Sequence, residues 1–208
     1  MGRSVNARER FLGAALRLIR EKGYEATTVD ELCRAAGLTK GSFFHHFEDK
    51  EALGLAAAAA FASMAESIFR AAPYRSRPDP LDRVLGYIDF RAAIMAGEIP
   101  DWTCLLGTMV QECYETHPRL REACERHIRE HADTVARDIA AAKELYAPDA
   151  DWTPESLAMH VQAVIQGAFV LGKAQYSPAV AVGCVRHLRR YVELLFPGRR
   201  PEAGEPAT

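Results

Sequence analysis

Residues 27–53 read TTVDELCRAAGLTKGSFFHHFEDKEAL, and the reading of this stretch decides the fold. Thr28 followed three residues later by Glu31 is a capping box, in which hydroxyl and carboxylate satisfy free amides at a helix start. Val29, Leu32, Cys33 and Ala36 then recur at three-to-four spacing, the period of one helical face. Gly37 ends that helix, because glycine enters the left-handed conformation without a Cβ clash. Leu38 turns the chain back to the core, and Thr39 caps a second helix expected over 40–47. Phe43 and Phe47 share its inner side; Lys40, Ser42, Phe44 and His45 share its outer side. Asp49 caps a third helix with Lys50 at its start. Helix, glycine turn, helix is a layout whose second helix can lie in a DNA major groove. Lys40 can donate to guanine O6 or N7, and Ser42 can bond several bases. Lys50, beside the amides of a helix start, suits a phosphate.

Within this stretch, AGLTKGSFFHHFEDKEAL resembles the DNA-binding signature of tetracycline-repressor-type (TetR family) transcriptional regulators. The resemblance holds at motif level over about residues 8–55, and beyond them only in length and helical layout. It implies that Thr28, Thr39, Lys40, Gly41, Ser42, Phe44, His45 and Lys50 meet double-stranded DNA. It also implies a homodimer on a palindromic operator, with a small-molecule pocket in the body and release of DNA when that pocket fills. In one respect the sequence departs from the family. Phe44 stands where a tyrosine is common, so no hydroxyl bonds a phosphate there and the contact is van der Waals only.

The remaining composition agrees with a globular chain of 208 residues, 49% hydrophobic and 26% charged. No apolar run of membrane-spanning length and no signal peptide are expected, and the cytoplasm is the expected location. Five cysteines without paired spacing point to reduced thiols. The net charge of −2 is unevenly spread: residues 1–50 carry nine Lys and Arg against seven Asp and Glu, and the rest is net acidic. A mildly basic head on an acidic body suits a module that turns one face to phosphates.

Outward from the motif, an all-α chain is expected. A first helix over 7–22 stops at Gly23 and completes a three-helix head; Arg3 lies in a short arm before it. A helix over 49–71 connects head to body, dividing residues 1–50 from 51–196, and the proline-rich residues 72–80 form a linker. Body helices are expected over about 80–96, 104–115, 118–146, 154–175 and 178–196, four of them opened by a proline at the first turn. Residues 97–102 are expected as loop and 197–208 as a disordered polar tail.

Three constellations carry further expectations. In the body, Phe61, Met64, Tyr87, Phe90, Trp102, Met109, Tyr114, Gln166 and Phe169 are candidates for the pocket that the resemblance implies, joined by Cys104 and the nearby cation Lys173. Cys104 opens a short helix, where the dipole favours a thiolate able to sense electrophiles. The last two helices are apolar on more than one side, and Val161, Ile165, Ala168, Val185, Leu188 and Val192 are the candidate dimer interface. Finally, His127-x-x-Glu130-His131 with Cys124 has the spacing of a zinc site, which would make a small zinc- or thiol-dependent enzyme. A charged amphipathic helix produces the same pattern by chance, and neither catalysis, cofactor nor metal is expected here.

Overall fold

The computed structural model describes residues 6–199, and among them every regular element is helical. Arg3 and residues 200–208 of the expected tail lie outside the described residues. The head consists of α1 (Ala7–Lys22), α2 (Val29–Ala36) and α3 (Lys40–His46). The capping box forms as read: the Glu31 amide donates to Thr28 Oγ1 at 3.3 Å, and the Thr28 amide donates to the Glu31 carboxylate at 3.0 Å. Gly37 adopts φ +61°, and the Leu38 amide reaches back to the Cys33 carbonyl at 2.9 Å. Phe11 meets Phe43 and Phe47 edge-on, with ring centroids 5.4 and 6.2 Å apart. Edge-to-face pairs add specificity to the burial that holds three short helices together.

The head core is not closed by these three helices. It takes in Leu53, Ala57 and Ala58 of α4 (Lys50–Arg70), Leu105, Met109 and Cys113 of α7 (Leu105–Cys113), and Leu120 and Cys124 of α8 (Pro118–Tyr146). Gly54 permits the close approach at this seam, since a Cβ there would lie 3.0 Å from Tyr24 and 3.1 Å from Leu120. A second core joins Phe69 of α4 with α5 (Pro80–Ala93), α8, α9 (Pro154–Ala174) and α10 (Pro178–Leu194). α4 and α8 therefore run through both cores. The expected linker contains a 3-10 turn, Pro73–Ser76, whose Tyr74 is buried against Tyr87 and Phe90. Residues 99–102, expected as loop, form the short helix α6 (Ile99–Trp102), capped by the Asp101 carboxylate on the Glu98 amide at 2.9 Å.

Two expectations are corrected by the packing. Val161, Ile165 and Ala168 of α9 and Val185, Leu188 and Val192 of α10 are enclosed within the single chain and cannot meet a second copy. α9 and α10 are apolar on two sides, and the side richer in branched aliphatics fills the body's own core. The outward side carries Met159, Ala163, Gly167 and Leu171 on α9, and His187, Tyr191 and Leu194 on α10. The rings of His160 and Tyr191, 5.1 Å apart, join the two stripes. The second correction concerns apolar length. α4 and α9, at 21 residues and mean hydropathies of 1.6 and 1.2, are long and apolar enough to cross a membrane. Here both are built into the bundle, α4 through the head core and α9 through the body core.

Candidate nucleic-acid interface and ligand cavity

The α2–turn–α3 unit exposes one continuous face. Thr28, Thr39, Lys40, Gly41, Phe44 and His45 are exposed, and Ser42 is half-buried. Phe44, 57% exposed, leans edge-on against the buried Phe43, which holds it outward although it is apolar. The Thr39 hydroxyl accepts from the Ser42 amide at 3.2 Å, fixing the start of α3. The Lys40 ammonium pairs with Asp30 of α2 at 2.6 Å, both side chains being largely exposed. Lys50 is placed otherwise than expected. Its ammonium donates to the Tyr24 carbonyl at 3.2 Å and lies 4.3 Å from the centre of the Tyr24 ring. In this conformation it ties α4 to the turn after α1 and is not free for a phosphate.

A cavity of about 600 Å³ lies between α4, α8 and α9, closed at its inner end by α5, α6 and α7. Of the expected pocket residues, Phe61, Trp102, Cys104, Gln166 and Phe169 line it. Lys173 instead lines an adjoining space of about 240 Å³, where it donates to the Thr108 hydroxyl at 2.9 Å. The other five expectations are corrected. Met64 and Tyr114 face solvent, and Met109 is enclosed in the head core. Tyr87 and Phe90 stand behind the wall, packed against Phe69 with ring centres 5.6 and 5.7 Å apart, the first tilted and the second edge-on. Helical spacing names a set of bulky residues, but the rotation of each helix in the bundle decides which of them meet the cavity.

The lining residues not anticipated as such include Phe69, Arg91, Gln162 and, in this role, His131. A signal for Arg91 was present in the sequence. It lies four residues after Tyr87 and three after Ile88, on the inward face of its helix. Gln162 donates to the Tyr87 hydroxyl at 3.1 Å, and that hydroxyl meets His131 Nε2 at 2.9 Å. Burial, with Arg91 nearby, pushes the His131 pKa down to about 3, so the imidazole is neutral at physiological pH.

The Cys124, His127 and His131 spacing does not converge on a common point. Cys124 is enclosed in the head core, His127 pairs with Glu130 at 2.9 Å, and His131 belongs to the Tyr87 chain. Another set does approach: ligand atoms of Glu25, Cys113 and His117 lie within 4.8 Å of one another. Lys50 stands 4.0 Å from Glu25, and Thr116 bonds His117 Nδ1 at 2.9 Å, so Glu25 and His117 already have local partners.

The thiols differ in accessibility. Cys104 and Cys184 are half-buried, whereas Cys33, Cys113 and Cys124 are enclosed. Burial raises all three enclosed thiols, Cys113 to about 11 and Cys124 to about 12. Cys104 caps α7, its Sγ accepting from the Gly107 amide at 3.4 Å, and it borders both cavities. Iodoacetamide at neutral pH is therefore expected to alkylate Cys104 and Cys184 at least tenfold faster than the other three, read by peptide mass. Early labelling of Cys124 in folded protein would contradict this ordering.

Comparison with known proteins agrees with this arrangement in both halves of the chain. The model described as bacterial regulatory proteins, tetR family, matches residues 11–57. The model described as tetracyclin repressor-like, C-terminal domain, matches residues 80–188. The transcriptional regulator AcuR of Cereibacter sphaeroides is 27% identical over 172 residues, which cover 83% of this chain and 78% of AcuR. The HTH-type transcriptional repressor AcnR of Corynebacterium efficiens is 48% identical over 65 residues, 31% of this chain and 35% of that protein. The crystal structure of regulatory protein TetR from Rhodobacter sphaeroides superposes with a TM-score of 0.79 at 26% identity, over 89% of this chain and 98% of that one. With the helix-turn-helix head and the cavity-bearing body each matched in its own right, the chain belongs to the TetR family of transcriptional regulators.

Proposed function

We propose that this protein is a cytoplasmic, homodimeric repressor that binds a palindromic operator and is released from it by a small molecule held in the cavity. Its action is binding and not catalysis. One observation carries the reading: α4 is shared. Its first half is buried in the head core beside the recognition helix, and its second half supplies Phe61 and Phe69 to the cavity wall. A molecule that displaces the second half therefore turns the head. It releases DNA only in so far as it binds the DNA-free arrangement more tightly. The exposed stripe on α9 and α10 supports the dimer. Its small members Ala163 and Gly167 let a second copy approach closely, and a Cβ on Gly167 would meet nothing within 4 Å.

The test is footprinting on DNA selected from the genome of origin, with sedimentation of the free and bound protein. An inverted repeat is expected, its half-sites about 34–36 Å apart or a multiple of this, bound by two chains. Binding as a single chain to an asymmetric site would overturn the dimer and the palindrome together.

A further inference from the structure

Arg91 sets the chemistry of the cavity. It stands in the last turn of α5, its guanidinium 5.1 Å from the Phe69 ring centre and 5.5 Å from that of Phe169. Among the described residues it has no hydrogen-bonding or ionic partner, and its Nε is fully enclosed. Two aromatic faces offset part of the cost of burying a guanidinium, but they leave its directed N–H donors unused. The other cavity arginines differ: Arg75 pairs with Asp138 at 2.6 Å, Arg70 with Glu66 at 3.5 Å, and Arg137 is exposed.

A second donor is idle in the same place. Trp102, 6% exposed, lines the cavity and packs on Phe169 with ring centres 5.9 Å apart, and its enclosed Nε1 has no partner. Arg91 and Trp102 thus share Phe169, and both can only donate. The acids at the cavity are already engaged, Glu66 by Arg70 and Glu130 by His127. The neutral His131, within the Tyr87–Gln162 chain, adds no second cation at the inner wall. The remaining wall is mixed: Phe61, Leu106 and Ile128 form its apolar part, beside the neutral polar residues Ser63, Thr103, Thr134 and Gln166. Idle donors around one guanidinium call for a singly charged acceptor, and about 600 Å³ leaves room for a substantial hydrocarbon body.

We propose that the cavity binds an amphipathic organic monocarboxylate, its acid group on Arg91 and its hydrocarbon part against Phe61, Leu106 and Ile128. The effector reading above is what would make this compound the releasing signal, so the two are tested by different measurements. Calorimetric titration of the full-length dimer with decanoate, 4-phenylbutyrate and their primary amides reads the ligand class. At least one acid is expected to bind below about 1 mM and tenfold or more tighter than its amide. Arg91→Gln should weaken the acid by about tenfold to a hundredfold and abolish the preference over the amide, with Arg91→Lys intermediate. Equal binding of acid and amide, absence of acid binding below about 1 mM, or unchanged binding in a folded Arg91→Gln protein each overturns the proposal. The wild-type acid-to-amide comparison decides the matter even if Arg91→Gln does not fold. Operator release is measured separately by gel shift. Acids that bind through Arg91 without releasing DNA leave the ligand class standing and remove the effector reading; release of DNA by neutral compounds, with acid and amide bound equally, does the reverse.

Discussion

Val192→Glu should leave no folded body, whereas Leu194→Glu, two residues on, should leave a folded monomer. Val192 is fully enclosed in the core that α10 shares with α5, α8 and α9, and Leu194 is 80% exposed on the opposite side of the same helix. A carboxylate at 192 would be buried without a cation, which costs several kcal/mol against a total stability of about 5–15 kcal/mol. At 194 the carboxylate stays in water in the isolated chain, and its cost appears only when a second copy covers it. Circular dichroism and sedimentation separate the two results. Loss of helicity is expected for the first, and native helicity with halved mass for the second; adding Leu171→Glu strengthens the latter. If the double variant Leu171→Glu, Leu194→Glu still sediments as a dimer, the outward face of α9 and α10 is not the interface. On the proposed two-half-site operator, the monomer should also lose affinity by orders of magnitude.

Lys40→Ala should have the next largest effect. Losing a base contact costs about 1–3 kcal/mol per half-site. Over a two-fold operator this is about 2–6 kcal/mol, a factor of about 30 to 10⁴ in affinity, with relaxed preference at the contacted base pair. The ion pair with Asp30 refines the expectation. An exposed pair is worth at most about 1 kcal/mol, so DNA can displace it. Asp30→Asn should then tighten binding, by freeing the ammonium and removing a negative charge from a face that meets phosphates. Both variants are read by filter binding across a salt series on operator and mismatched DNA. Unchanged discrimination in Lys40→Ala would mean that α3 does not read bases as placed here.

The sequence by itself determined what depends on near neighbours in the chain. The Thr28–Glu31 box, the left-handed Gly37 and the caps Thr39 and Asp49 are local events among a few residues, and each formed as read. Pro80, Pro118, Pro154 and Pro178 likewise open their helices, because a missing amide costs nothing in a first turn. The short α6 was less legible, since four residues carry no periodicity and its cap, Glu98 with Asp101, lacks the usual hydroxyl. What only the tertiary structure decided is which side of each helix faces which neighbour. Val192 and Leu194 are both apolar and near in sequence, yet one fills the core and the other lies bare, because α5 and α9 cover only one side of α10. By the same logic Met109 went to the head core, Tyr114 to solvent and Phe169 to the cavity, although all three read alike as bulky apolar residues at helical spacing. Periodicity specifies a face and leaves open what packs against it. The setting of Arg91, a cation held between two rings from α4 and α9, exists only once those helices have closed around it.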